Sequence, residues 1–312
     1  MIDAKITDEK LLTHLNSLKN NGMTIFTLAE NTIRGAIFDA TLFVNKMRVQ
    51  HNLGILETYI LGQAGICTAL LIPTMKGHDR TVFRYDTKGP VAGFSLEAFS
   101  EGRVRGYLFK NPIQIEKPLE SWDVSPFLGD GIVSVVRFPE GARVPTTGTT
   151  EIIHKNIPLD LAEYFLKSEQ TKTAFHASIK FDTEGRVLGA GGMYLQAMPD
   201  ASLEDLQISE QAFSACPSLG EWYSEGGDNE DIAVGLFRQL KPKLLLTRDV
   251  IFHCPCSYEK FLGHLKSFST DELNNICKTN PDPVEVYCHN CSSTYEYSKN
   301  TIQKIINSTN QE

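Results

Sequence analysis

β-branched and aromatic residues recur in three short runs of the chain, TVFRYD (81–86), GRVRGYLFK (102–110) and GIVSVVRF (131–138). Each is bounded by Gly, Pro or Asp, the pattern of β-strands closed by turns. RGAIFDAT (34–41) predicts another strand. FHASIKF and RVLGAGGMYLQAM flank DTEG and predict a hairpin. The apolar positions change period at LGILETYILGQAGICTALLIPTMKG (53–77). There Leu56, Ile60, Cys67, Leu70 and Leu71 fall near helical spacing and predict a buried amphipathic helix. LDLAEYFLKSEQ (159–170) predicts another helix. Strands and helices do not alternate regularly, so residues 1–200 are expected to form an α+β domain. Its sheets should be mixed or antiparallel, with packed helices, rather than doubly wound.

Past residue 200 the pattern changes. DLQISEQAF and DIAVGLFRQL predict helices, and the Gly226-Gly227-Asp228-Asn229 run between them is a turn signal. Residues 201–250 are thus expected to be a helical linker with a flexible break. In the last stretch, 251–312, Ser257 is placed to cap a helix over YEKFLGHLKSF. Ser269 with Glu272 matches a capping box for a second helix ending near Cys277. Asn280-Pro281-Asp282-Pro283 is a stiff turn. VEVYC and TYEYS then form a predicted hairpin with His289 and Asn290 near its tip.

Charge sharpens this division. The 312-residue chain has a formal charge of -8. Between Ala201 and Leu240 stand eight acids (Glu204, Asp205, Glu210, Glu221, Glu225, Asp228, Glu230, Asp231) against one base, Arg238. Like charges repel, so this linker is expected to dock weakly on an acidic body. The acidic balance also argues against binding a nucleic-acid backbone. No apolar run of about 18 residues stands out, so no membrane span is expected. The start, MIDAKITDEKLLTHLN, lacks the apolar stretch of a secretory signal. A cytoplasmic location is expected.

The cysteines carry the chemistry. There are seven, at 67, 216, 254, 256, 277, 288 and 291, and five lie in the last 60 residues. Cys254-Pro255-Cys256, then 31 residues, then Cys288-His289-Asn290-Cys291 is two close pairs around a folded insert. That is the layout of a four-thiolate Zn2+ site. A module this small has little core, and a structural zinc contributes roughly 10–16 kcal/mol of folding energy. A metal-free dithiol pair and four merely buried thiols are the alternatives. His253, His264 and His289 lie near enough in sequence to replace a thiolate, but four cysteines already complete a shell. They also leave no open position for catalysis by the metal. Cys67 falls on an apolar helical stripe and is expected in the core. Cys216, before Pro217, is expected to be a spectator. Gly189-Ala190-Gly191-Gly192 lacks the spacing and the following helix of a phosphate loop, and no other nucleotide or hydrolase signature is present.

FHCPCSYEKF (252–261), VEVYCHNCSSTYEYS (284–298), YFLKSEQTKTAF (164–175) and GAGGMYLQAMP (189–199) resemble the heat-shock protein 33 family of redox-regulated holdase chaperones. Order and spacing agree across nearly the whole chain. The resemblance implies an N-terminal α+β domain, a metastable helical linker and a zinc-bound thiol switch. The metal ligands and redox-active disulfides would be Cys254, Cys256, Cys288 and Cys291, each close pair closing on oxidation. It implies no enzymatic activity. The reduced, zinc-bound form would be inactive. Oxidation would release the zinc, loosen the linker, uncover an apolar surface and allow a homodimer to form. That form would hold unfolding client proteins without ATP until refolding chaperones take them. A thiol–disulfide oxidoreductase and a constitutive binding module with a structural zinc are the competing readings. Three residues depart from the family pattern: Pro255, where a polar or basic residue is expected; Lys260, where arginine is usual; and Cys277, an additional thiol. They bear on the redox set point and leave the ligands in place.

Overall fold

The computed structural model describes residues 1–115 and 121–309. Its centre is a pair of sheets. The first has five antiparallel strands in the order β10-β1-β2-β9-β8. These are β1 (Met23–Leu28), β2 (Ile33–Asp39), β8 (Thr173–Phe181), β9 (Val187–Ala197) and β10 (Lys243–Arg248). The second has six strands in the order β11-β5-β4-β3-β6-β7. These are β3 (Arg80–Thr87), β4 (Gly93–Phe99), β5 (Arg103–Leu108), β6 (Gly131–Phe138), β7 (Thr146–Glu151) and β11 (Ile251–Phe252). Only β11 runs parallel to its neighbour, so this sheet is mixed. A third, two-stranded sheet pairs β12 (Val284–Tyr287) with β13 (Thr294–Tyr297). The fold is α+β, as the irregular order of patterns implied.

Between and around the sheets lie α1 (Glu9–Ser17), α2 (Thr41–His51), α3 (Ile55–Ala69), the short α4 (Ser125–Leu128) and α5 (Ile157–Ser168). The expected amphipathic helix is α3, but it has no polar face: every residue except Ile55 and Tyr59 is buried. It packs on strands of both sheets and on α5, so beyond its first turns all its sides are covered. Ile55–Thr74 does reach, in 20 residues, the length and hydropathy of a membrane-crossing helix, contrary to the expectation that no such run is present. Its most apolar window is 89% buried inside the fold, as expected of a core helix. Cys67 sits on it, fully buried, and burial pushes its thiol pKa up. At the N-terminus of α5 the buried Asp160 accepts hydrogen bonds from the backbone N–H of Ile153, His154 and Asn156 and from the Tyr85 hydroxyl.

Residues 201–250 hold more structure than the pattern implies. The two expected helices are α6 (Leu203–Ser214) and α8 (Asn229–Phe237); a further short helix, α7 (Leu219–Ser224), lies between them, just before the expected turn at Gly226-Gly227-Asp228-Asn229. Leu219, Tyr223, Ile232, Ala233, Phe237 and Leu240 pack with Phe26, Leu28, Ile33, Ile37, Met193 and Leu195 of the five-stranded sheet. The helices thus cover that sheet's second face. The acids do less harm than self-repulsion suggests. Asp228 caps α8, and Glu204, Asp205, Glu221, Glu230 and Asp231 lie in first helical turns, where the helix dipole favours them. Glu221 also reaches Lys180 at 2.7 Å, and Asp228 pairs with Lys19. Cys216 is half-buried beside this cluster, and burial pushes its thiol up to about 12.

The Gly189–Gly192 run is strand β9, consistent with the absence of a phosphate loop. Its glycines let α7 approach the sheet backbone. A Cβ on Gly189 would lie 2.1 Å from the Gly220 carbonyl oxygen, and one on Gly220 2.7 Å from the Lys180 nitrogen. Gly220→Ala is therefore expected to lift α7, at a cost of about 1–3 kcal/mol. Limited proteolysis checks this: cleavage within 201–240 should accelerate while the strands β1 to β9 stay resistant.

Candidate metal centre

Two local turns and a helix start build the centre. Cys254 and Cys256 follow β11 directly, and α9 (Tyr258–Leu265) begins just beyond them. Ser257 is its N-cap, accepting from Lys260 N–H, as the sequence implied. The positive end of α9 thus lies beside Cys256. Cys288 and Cys291 close the turn between β12 and β13, where the Cys291 and Ser292 N–H groups both donate to the Cys288 carbonyl. Between the pairs, α10 (Thr270–Thr279) starts at the full capping box of Ser269 and Glu272. Helix α11 (Lys299–Thr309), which the sequence reading did not identify, packs against α10.

The fold brings all four sulfurs within 4.8 Å of one another, and all four residues are buried. Cys254 and Cys288 approach to 3.8 Å, Cys256 and Cys291 to 3.3 Å. A tetrahedral ion with sulfur ligands at about 2.3 Å sets them about 3.8 Å apart, so the donor set fits a metal ion. The thiols share protons. Hydrogen bonds from Cys288 and Cys291 hold the Cys254 thiol far below its ordinary range, and the Arg105 guanidinium adds to this. The same sharing with Cys254 raises Cys288, and pushes Cys291 up to about 11. A bound cation stabilises all four thiolates together.

Several residues that the sequence did not mark support this centre. Arg105 of β5 points Nη1 at Cys254 Sγ, 3.7 Å away, while its Nε donates to Glu97 at 2.7 Å. Gln50 of α2 donates to the carbonyls of Ile2 and Cys291 and accepts from Ala4 N–H. His51 lies 2.7 Å from Ser292 Oγ, and burial pushes its imidazole down to about 4, so it stays neutral at physiological pH. The Tyr295 hydroxyl donates to the Cys256 carbonyl at 3.0 Å and lies 3.2 Å from its sulfur. Pattern analysis cannot reach these residues, because each lies far from the cysteines in sequence or in a run that reads simply as strand.

The histidines near the cysteines in sequence stand outside the sulfur cluster. His289 packs beside Tyr107 and Tyr287, and His264 beside Phe261. The main chain of His253 donates to Val104 O. Pro255 is exposed, and the carbonyls on either side of it accept from the Met1 nitrogen. Lys260 is exposed on the first turn of α9, and Cys277 is half-buried on α10.

A family model described as "Hsp33 protein" matches residues 21–298. The chain is 30% identical to a 33 kDa chaperonin of Desulforamulus reducens over 273 residues, 86% of this chain and 92% of that protein. It is 29% identical to a 33 kDa chaperonin of Aquifex aeolicus over 289 residues, 90% and 88% of the two. The crystal structure of the 33 kDa chaperonin (heat shock protein 33 homolog) of Thermotoga maritima superposes with a TM-score of 0.84 at 26% identity. That match covers 94% of this chain and all of the other.

Arg105 is expected to strengthen metal binding without touching the ion. Arg105→Ala should lower zinc affinity by about 10- to 100-fold, the usual effect of losing a group that orients a ligand. Competition against a chromophoric chelator measures it, and Arg105→Lys should recover part of the loss.

Proposed function

We propose that this chain, which belongs to the Hsp33 family of chaperones and is not an enzyme, is an ATP-independent holdase switched on by oxidation of its four-cysteine centre. The observation that carries the reading is that centre: four buried sulfurs within 4.8 Å of one another, in a module whose fold closes around them. Zinc is the ion that best suits four thiolates, and when bound it holds them deprotonated and supplies folding energy to the module.

Each pair, Cys254 with Cys256 and Cys288 with Cys291, gives two electrons to a peroxide and closes one disulfide. The peroxide takes two protons and leaves as water. Disulfide sulfurs carry no charge, so the ligand set is lost. What remains of 251–309 has too small a core to stay folded alone. Its unfolding frees the end of the 201–250 linker. The apolar face that the linker covers, with Phe26, Leu28 and Ile37 of the sheet and Tyr223 and Phe237 of the helices, then becomes available. A surface of this kind binds unfolded proteins without regard to sequence and favours dimerisation of the oxidised chain. Reduction reverses the step and passes clients to refolding chaperones. A reducing cytoplasm keeps the thiols open until oxidant appears.

Zinc release and suppression of client aggregation are measured together, before and after peroxide with mild heat and again after reduction. The expected result is that both rise on oxidation and both reverse. An oxidised chain that keeps its zinc and suppresses nothing contradicts the reading. Turnover of a dithiol substrate would point to an oxidoreductase instead. Removing zinc from the reduced chain with a chelator should unfold 251–309 and leave the paired sheets intact, seen as loss of amide protection confined to that region.

A further inference from the structure

The segment that enters the thiol centre also completes two sheets. β10 adds an edge strand beside β1, and β11, three residues later, adds one beside β5. β11 is two residues long, and a strand that short does not hold its place by pairing alone. Three outward main-chain groups of this edge are satisfied by the thiol module. Ile251 N–H donates to Gly102 O at 2.9 Å, His253 N–H to Val104 O at 2.9 Å, and Gly106 N–H to Asn290 O at 3.3 Å. Phe252, 3% exposed, fills the space beneath, its ring edge-on to Phe43 and His51. Beyond pairing, β11 has two anchors: the buried Phe252 ring and Cys254, fixed in the sulfur cluster.

We propose that the outer edge of β5 is a client-docking site, closed by β11 in the reduced chain and opened when the thiolate set is lost. This rests on the holdase reading. The occupant is an extended segment of an unfolded protein, added as a strand along 103–108, with a bulky apolar side chain in the place of Phe252. Main-chain hydrogen bonds provide affinity without sequence preference, which suits a site that must accept any unfolding chain. The segment already seated there, Val250-Ile251-Phe252-His253, shows what fits. A second copy of the same edge fits poorly. Antiparallel pairing of β5 with itself would bring Arg103 and Arg105 of one copy beside those of the other on one face, and like charges so placed are destabilising.

The test uses the full chain and a fluorescent peptide copying residues 247–253 (TRDVIFH). The reduced chain should bind it about 100-fold more weakly than the oxidised chain, because tethered β11 competes at an effective concentration of about millimolar. Amide exchange at Val104 and Gly106 should speed up on oxidation and slow again when the peptide or an aggregating client is added. In the reduced state, Phe252→Ala, which leaves every cysteine in place, should bind the peptide at least about tenfold better than the unaltered chain. If that variant does not fold, the exchange measurement on the unaltered chain still decides. Suppression of aggregation with unchanged exchange at Val104 and Gly106 overturns the docking site and leaves the holdase standing. Protection that rises with chain concentration alone assigns the edge to self-pairing and overturns the client as occupant. An oxidised chain that suppresses no aggregation overturns both.

Discussion

Four sulfur atoms that want to be anions are held within 4.8 Å of one another in a buried site. Without a cation that arrangement is costly, since unscreened like charges at this distance cannot all be ionised. Hydrogen bonds among the sulfurs hold the Cys254 thiol below its ordinary range and raise Cys288 and Cys291. A divalent ion bound there would remove the conflict and tie the local fold to the metal. Joining the sulfurs as disulfides would neutralise them without a cation, which is the step the proposed switch uses.

The rest of the molecule is arranged around that dependence. The apolar core runs without interruption from α3 through Phe43 and Phe252 to the four cysteines and on to Tyr297 and Ile302. Backbone bonds tie β11 and the Asn290 turn to β5, and Arg105 links the charge of Cys254 to the Glu97 carboxylate on β4. On the far side, the three linker helices close a separate apolar cluster over the five-stranded sheet. The strand β10 joins these two regions, since its ends lead to the linker helices and to the thiol centre. A change at the sulfurs therefore has a covalent and hydrogen-bonded route to both covered surfaces.

Much of the site was legible because its signals are local. The C-x-C and C-x-x-C pairs, the Ser257 cap and the Ser269–Glu272 box each lie within a few residues, and each formed as its residues imply. The strands around 80–138 and the hairpin at 173–197 were legible for the same reason. The edge strand β10 was not, because KLLLTR sits in a stretch that otherwise reads as helical, with Leu245 and Leu246 exposed. Nor was α7, whose docking depends on Gly189 and Gly220 meeting across 31 residues of chain.

The sequence by itself determined the four-cysteine pattern, its pairing in the chain and the family to which the chain belongs, since these depend on side-chain chemistry at short range. Only the tertiary structure decided what the centre touches. Arg105, Gln50, His51 and the edge of β5 come to it through sheet and helix packing over separations of roughly 150 to 240 residues. The linker acids show the same limit. Counted along the chain they predict repulsion, but placed at helix N-termini and opposite Lys19 and Lys180 they stabilise the covered state. The sign of an electrostatic interaction depends on the distance and direction of its partner, and a linear sequence contains neither.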